Sequence, residues 1–373
     1  MKTAITPIRK IYILVFIVLI SECISLISYA QKDSGWRERP VVQLSGFADI
    51  YYVYDFNQPS TKDRQVYFYH FNRHNQINLN LGYLKFSVQH PKYRANLALH
   101  LGTYAVDNYS SEPGMLKHLF EANSGISLNS KNTFWMDVGV FASHIGFESA
   151  VSMDNWTLTR SLLAENSPYY LTGVKLTYHP NPKWEFATLV CNGWQHIRKT
   201  VGNSMPSLGT QVKFTPDQNT VFNWSSFIGT DDPDSTRRLR IFNNLYLQYQ
   251  VSPKIGLIAG FDIGLQQKEK NSNNYNSWFS PVLMARYAIS EKLTSSVRAE
   301  YYQDKNGVMI PAVSAKGFST SGLSLNLDYF PLPTIVWRIE GRWLSSKDPV
   351  FIRNGMPAVT NLFFATSIAV RFH

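Results

Sequence analysis

The stretch Gly322-Leu323-Ser324-Leu325-Asn326-Leu327-Asp328-Tyr329 decides the fold. In a β-strand, successive side chains point to opposite faces. Leu323, Leu325, Leu327 and Tyr329 therefore share one face, and Ser324, Asn326 and Asp328 share the other. The next two segments repeat the pattern. Ile335, Trp337, Ile339 and Trp343 alternate with Val336, Arg338, Glu340 and Arg342, and Leu362, Phe364, Ile368, Val370 and Phe372 alternate with Asn361, Ser367 and Arg371. In a soluble sandwich the apolar face would be the core. In a membrane barrel it would meet lipid, and the polar face would line a watery lumen.

Two earlier segments choose the second option. Across 238–251, Leu239, Ile241, Leu245, Leu247 and Tyr249 alternate with Arg238, Arg240, Asn244, Gln248 and Gln250. A one-residue slip would turn Arg238 and Arg240 toward lipid, at a cost of about 2–4 kcal/mol for a charge at mid-membrane. Near the start, Val42, Leu44, Ala48, Ile50, Tyr52 and Tyr54 are expected outward, with Gln43, Ser45, Asp49 and Asp55 inward. Phe47 and Tyr51 join the inward set, so the interior is not uniformly polar. A soluble sandwich would carry more Lys and Glu on its polar face than the Asn, Ser, Gly and Tyr found here.

The connections alternate in length. Tight Pro/Asn/Asp/Ser turns lie at 90–92, 129–132, 180–182, 216–219, 252–254, 290–292 and 331–333, compositions that reverse a chain. Long polar connections lie near 57–70, 104–119, 146–167, 195–207, 230–237, 267–277, 303–317 and 345–360. This is the rhythm of an up-and-down barrel, with short turns on the periplasmic side and long loops outside. The expected fold class is all-β: a transmembrane antiparallel β-barrel of about sixteen strands over 41–373, the segment boundaries allowing fourteen to eighteen. The strand at 120–128 competes with a short helix over 115–122.

Composition agrees. Aromatic residues make up 14% of the 373 residues, with 21 Tyr and 9 Trp, against 17% charged residues. Mean hydropathy is −0.19, and after the N-terminus no stretch approaches the ~20 apolar residues of a membrane helix. At the N-terminus, Lys2, Arg9 and Lys10 precede the apolar run 11–20, and Ser28-Tyr29-Ala30 supplies small residues before Gln31. That layout is a secretory signal peptide over 1–30, followed by a short periplasmic segment at 31–40. Cys23 leaves with the signal, so Cys191 cannot form an intramolecular disulfide. Formal charge is +10, a bias that bears on solutes rather than fold. No basic cluster with interleaved aromatics suggests nucleic acid.

The stretch 133–173 is the richest in distinctive residues. It holds Trp135-Met136-Asp137-Val138-Gly139, Ser143-His144-Ile145-Gly146-Phe147-Glu148, Asn155-Trp156-Thr157-Leu158-Thr159-Arg160-Ser161 and Ala164-Glu165-Asn166-Ser167-Pro168-Tyr169-Tyr170. With Gly46-Phe47-Ala48-Asp49-Ile50-Tyr51-Tyr52 and Asn192-Gly193-Trp194-Gln195, the chain resembles the β-barrel porin family similar to OmpL, common in Bacteroidota. The resemblance spans essentially the whole mature chain and implies an integral outer-membrane porin of a Gram-negative bacterium. It brings no catalytic or ligand residues with it. It also implies lipid and lipopolysaccharide as surroundings and handling by the barrel-assembly machinery, for which Phe372 fits the C-terminal aromatic signal although His373 follows it.

The loop 146–167 carries Glu148, Asp154, Arg160 and Glu165 together with Leu158, Leu162 and Leu163. Long loops with structure of their own are often functional. This one is a candidate to fold into the lumen and narrow the pore; the competing expectation is a loop on the rim with solvated charges. Arg94, His100, Lys175, Lys213, Arg240, Arg298, Glu300, Arg338, Glu340 and Arg342 are expected to line the lumen. Their basic balance predicts a mild anion preference in passive diffusion of small hydrophilic solutes. Homotrimers are compatible with such a barrel.

Other chemistry is poorly supported. Ser143 and His144, being adjacent on a strand, point to opposite faces and cannot form a nucleophile–base pair, and Gly-x-Ser-x-Gly is absent. No catalytic residue, metal site or cofactor is expected. His70 and His74, on an extended chain, would stand about 13 Å apart, and with Arg64 and Arg73 they read as a solvated loop. Asp231-Asp232-Pro233-Asp234 could chelate calcium weakly, and an acidic turn explains it as well. The alternative from another class is a non-conducting barrel serving as a surface adhesin or scaffold, its interior filled by Phe47, Tyr51, Phe242 and Tyr246. An outer-membrane hydrolase comes third.

Overall fold

The computed structural model describes residues 34–311, 314 and 316–373; the expected signal peptide, 1–30, lies outside them. A turn of 3-10 helix, Ser34–Arg37, leads into the barrel. Its strands are β1 (Val41–Asp55), β2 (Ile77–Gln89), β3 (Tyr93–Leu101), β4 (Leu119–Ser127), β5 (Phe134–Ala142), β6 (Tyr170–Asn181), β7 (Trp184–Cys191) and β8 (Ser207–Asp217). They continue as β9 (Thr220–Gly229), β10 (Arg240–Ser252), β11 (Ile255–Gln267), β12 (Tyr275–Ala288), β13 (Leu293–Asp304), β14 (Phe318–Leu332) and β15 (Ile335–Ser346). A two-stranded hairpin, β16 (Phe351–Arg353) with β17 (Met356–Ala358), interrupts the last long connection before β18 (Thr360–Phe372). Sequential strands pair antiparallel, and β1 pairs with β18 from Gly46↔Phe372 to Asp55↔Phe363. The sheet is a closed barrel of sixteen strands, so no hydrogen-bonding edge is left.

The alternation read from the sequence sets the faces. Leu325 is 61% exposed and its neighbour Asn326 is 0%. Trp337 and Trp343 stand on the outer face, and Arg338, Glu340 and Arg342 between them are buried inside. On β1, Val42, Leu44, Ala48 and Ile50 face out, while Phe47, Asp49, Tyr51 and Asp55 face in. Aromatic rings gather on the outer face at the short-turn end. Trp184 and Phe214 stack with centroids 4.2 Å apart, and Tyr249, Tyr287, Tyr329 and Trp337 are exposed nearby in the strand pattern. Amphipathic rings favour the membrane–water boundary.

The apolar core lies inside the barrel, not between sheets. Tyr51, Phe71, Leu158, Leu162, Trp194, Phe242, Trp278, Ile310 and Phe363 form one buried cluster drawn from strands and long loops together. Two expectations are corrected here. First, β2 begins at Ile77 rather than near 72, because Phe71 and Asn75 adopt left-handed φ of 51° and 54°. Residues 71–74 instead bond to the loop, with Arg64 N–H donating to the Asn72 carbonyl at 2.9 Å. Second, the loop after β1 is not solvated: Arg64, Tyr67, Phe68, His70, Phe71 and His74 are buried. The expected strand at 120–128 is present as β4, preceded by a 3-10 turn at Gly114–His118. A short helix, Thr103–Asn108, lies in the long connection after β3.

Candidate functional site

Three neighbouring strands build a charged inner wall. Register places Arg298 of β13 opposite Ser324 of β14, which in turn faces Arg342 of β15. Asn326 faces Glu340, and Asp328 faces Arg338. Arg298 Nη2 meets Glu340 Oε1 at 2.9 Å, Arg342 Nη2 meets Glu300 Oε1 at 2.5 Å, and Arg338 Nε meets Asp328 Oδ1 at 2.7 Å. These side chains are almost wholly buried. Removing a charge from water is costly unless it is paired and its remaining hydrogen-bonding capacity is used. The wall meets that demand by reaching into residues 143–169.

That segment lies inside the barrel. Leu158 N–H donates to Asn326 Oδ1 at 2.9 Å, Thr159 N–H to Glu340 Oε2 at 2.6 Å, and Leu162 N–H to Glu300 Oε2 at 2.7 Å. In return Arg298 donates to the Thr159 carbonyl at 2.5 Å, Arg342 to the Arg160 carbonyl at 2.9 Å, and Arg338 to the carbonyls of Ser152 and, at 2.9 Å, Asn155. Irregular backbone in a barrel interior must find partners for its peptide groups, and here the wall side chains supply them. Ser152 adds a bond to Asp49 Oδ2 at 2.6 Å. Asp154, the most exposed of the expected loop acids, reaches Arg371 of β18 at 2.5 Å.

Two glycines of β11 make room for this segment. A Cβ on Gly256 would stand 2.7 Å from the Trp156 ring, and one on Gly260 would stand 2.6 Å from the Phe147 ring. The rings occupy the space that side chains would fill. Ser161 caps the short helix Leu162–Glu165 by accepting from Ala164 N–H at 3.2 Å. Its own N–H and hydroxyl donate to Glu148. Burial pushes the Glu148 carboxyl up from its ordinary value, against the pull of Arg298, Arg160 and Ser161.

The inserted segment is tied to the loop after β1. Glu165 Oε2 accepts from Tyr69 N–H at 2.8 Å and from the Tyr169 hydroxyl at 3.2 Å. His70 Nδ1 lies 2.8 Å from the Tyr169 hydroxyl and 3.6 Å from Glu165 Oε1. Burial lowers the His70 pKa, against the opposing pull of Glu165.

The remaining expected lumen residues, on β3, β6, β8 and β10, also face inward. Arg94 holds Asp137 at 2.5 Å, and Lys85 holds Glu121 at 2.5 Å. Lys175 lies 4.8 Å from the Phe141 ring. Lys213 faces Glu185 in register, and Arg286 stacks 4.7 Å over Trp156. Among the described residues Lys175, Lys213 and Arg286 make no ion pair. Arg240 pairs with Asp231 at 2.9 Å, and His100 Nε2 lies 2.9 Å from the Lys117 carbonyl. Phe372 stands outward, over Gly46 at the barrel seam.

Ser143 and His144 do not meet as a reactive pair: His144 Nε2 lies 2.9 Å from the Ser226 carbonyl, and Ser143 Oγ accepts Ile145 N–H. Asp231 and Asp232 are taken by Arg240 and Arg238. Sequence reasoning did not single out Lys85, Arg286 or Tyr67-Phe68-Tyr69-His70-Phe71 as interior residues. The last of these carried a legible signal, since four aromatics in five positions do not suit a solvated loop.

Residues 41–372 match the family described as "Putative beta-barrel porin-2, OmpL-like". Among solved structures the chain is similar to an anion-selective porin from Comamonas acidovorans, with a TM-score of 0.60 and 10% identity over 90% of this chain and 100% of that one. It is also similar to OmpF of Salmonella typhi in complex with daunomycin (TM-score 0.56, 10% identity, 89% and 97% covered). A third is the trimer form of in-vitro folded OmpT of Vibrio cholerae (TM-score 0.53, 7% identity, 90% and 100% covered). At these identities the likeness is one of fold. No curated protein sequence matches the chain.

Proposed function

The chain belongs to the OmpL-like β-barrel porin family, and on that premise we propose that it is a passive diffusion channel for small hydrophilic solutes, with residues 146–167 as its constriction. The observation that carries this reading is the attachment of that segment to Asn326, Glu340 and Glu300, far from either loop end. The start of the segment also bonds to β8, β9 and β10 through His144 and Gly146, so the wall left for solute and water is β2–β7. With both termini at the short-turn end, that end is read as periplasmic and the long loops as external. Phe372 serves as the assembly signal read by the barrel-assembly machinery, lipid and lipopolysaccharide surround the outer face, and homotrimers suit the fold.

The mild anion preference rests on this chain's own cations. Lys85 and Arg94 are neutralised by partners, whereas among the described residues Lys175 and Lys213 make no ion pair. Rings of uncompensated charge bias ion passage. Planar-bilayer recording tests the whole reading. Removal of 154–163 is expected to raise single-channel conductance, and Lys175→Glu with Lys213→Glu to move the reversal potential toward cations. An unchanged conductance in the deletion would remove the constriction, and a cation-selective native channel would remove the anion preference.

A second reading is favoured by the burial of Phe47, Tyr51 and Phe242 among the loops. It is a sealed barrel whose loops act as an adhesin or scaffold. Folded protein that yields no channel events in bilayers would select it.

A further inference from the structure

We propose that the cavity between the inserted segment and the facing wall is a binding site for a ring-bearing monocarboxylate, with Arg160 receiving the carboxylate. This deepens the porin reading by naming a solute class, and it rests on that reading for the solute's passage. The cavity measures about 350 Å³, at the lower end of the volumes that hold small ligands. It is bounded by the inserted segment on one side and by β4, β5 and β10 on the other.

Arg160 is the anomaly of the interior. It is 3% exposed, yet its guanidinium makes no hydrogen bond or ion pair among the described residues, and Nε and Nη1 are buried with no acceptor. The three wall arginines that donate hydrogen bonds to the segment, Arg298, Arg338 and Arg342, are each held by a carboxylate, whereas Arg286 only stacks on Trp156. Arg160 lines the cavity and lies 3.5 Å over the Tyr169 ring. A stacked guanidinium keeps its donors in the plane of the fork, where a carboxylate meets them.

The nearby acids have other partners, Glu165 through Oε2 alone, its Oε1 being buried without a hydrogen bond. Glu121 is held by Lys85 at 2.5 Å, Glu148 accepts from Ser161, and Glu165 accepts from Tyr69 and Tyr169. None of them lies within ion-pair distance of Arg160. The rest of the boundary is aromatic: Phe147 meets Tyr246 edge to face at 5.6 Å, and Tyr109 stacks on Tyr170 at 4.1 Å. Ring faces of this kind accept a flat ring or the apolar face of a pyranose. Aromatic acids and sugar acids share that chemistry.

The test is titration of the folded full-length mature protein in detergent micelles, followed by calorimetry, with benzoate and glucuronate set against benzyl alcohol and glucose. One or both carboxylates should bind at least about tenfold more tightly than the matched neutral compound, the scale of one charge-assisted hydrogen bond. Whichever carboxylate wins identifies the source. Arg160→Gln should abolish the preference and Arg160→Lys should keep part of it, with folding checked by the heat-dependent electrophoretic shift of intact barrels. Tyr246→Leu gives an independent arm: it should weaken benzoate and benzyl alcohol alike while the carboxylate preference persists. Equal binding of acid and neutral probes, or no binding to folded native protein, would overturn the site and leave internal water as the partner of Arg160. Channel recordings in potassium chloride run alongside. Carboxylate binding without channels would sink the porin reading alone, and channels without carboxylate binding would sink this site alone.

Discussion

Leu158 N–H donates to Asn326 Oδ1 at 2.9 Å across 168 residues of sequence. Asn326 sits between Leu325 and Leu327 of β14, both of which face outward. The strand that presents apolar side chains to lipid therefore also presents, on its other side, the acceptor that fixes the inserted segment. Outer pattern and inner anchorage are two faces of one stretch of chain.

Arg338→Ala tests the anchorage at its strongest point. Arg338 serves Asp328 and the Ser152 and Asn155 carbonyls together. Its loss leaves Asp328 buried without a cation, a situation that typically costs about 3–5 kcal/mol. The expected outcome is a lower denaturant midpoint in micelles and noisier channels, with the barrel still assembled.

Gly260→Leu acts on the opposite side of the segment. Its side chain would occupy the place of the Phe147 ring. Overpacking of this kind costs about 1–3 kcal/mol, and the relief available is movement of residues 146–150 rather than of β11. Altered conductance with an unchanged strand content by circular dichroism is the expected result.

The outer face is tested by Leu325→Arg. Leu325 is near the middle of β14 and 61% exposed, so an arginine there should lower barrel stability by about 2–4 kcal/mol in bilayers. The same change at Leu332, the last residue of β14, should cost only about 0–1 kcal/mol. Equal effects at the two sites, measured by unfolding from liposomes, would contradict a lipid-facing surface.

Acidification should loosen the link between the loop after β1 and the inserted segment. His70 packs against Glu165, Tyr169, Tyr104 and Phe71, with Arg160 adding its charge. Its pKa is lowered by burial, so below the ordinary value of 6.5 the unfolded loop takes up a proton before the folded one does. Stability is then lost as pH falls from that value toward the folded pKa. Amide protection factors at residues 67–71, taken relative to the intrinsic exchange rate at each pH, should fall between pH 7 and pH 5, and His70→Gln should flatten that response.

Much of the barrel was legible because period-two alternation is local. Leu323 to Tyr329, Ile335 to Trp343 and Val42 to Tyr54 announce their faces without reference to any partner. Turn chemistry marked the short connections equally well, as at Ser252-Pro253-Lys254 between β10 and β11. The interior was harder to read because its contacts are remote. Nothing adjacent to Thr159 tells that its N–H meets Glu340, 181 residues away. Arg298, Glu300, Arg338, Glu340 and Arg342 could be assigned to the inner face but not to one another, since pairing depends on register between strands. Gly256 and Gly260 held a usable clue: glycines four apart on the inward face of a strand mark the approach of another group. The rings involved, Trp156 and Phe147, lie about a hundred residues upstream.

The seam between β1 and β18 has a consequence for how the molecule comes into being. Gly46 pairs with Phe372 of β18, the last strand of the sheet, so the ring cannot be sealed until ribosome and export channel have released β18. Synthesis and insertion are thereby separated in time, and the chain must be escorted open across an aqueous compartment. Loss of β18 would strip β1 and β15 of their mate and leave two rows of bare amides in hydrocarbon, where none can find water. A truncated product of that kind is fated for proteolysis, not for service as a slightly smaller pore.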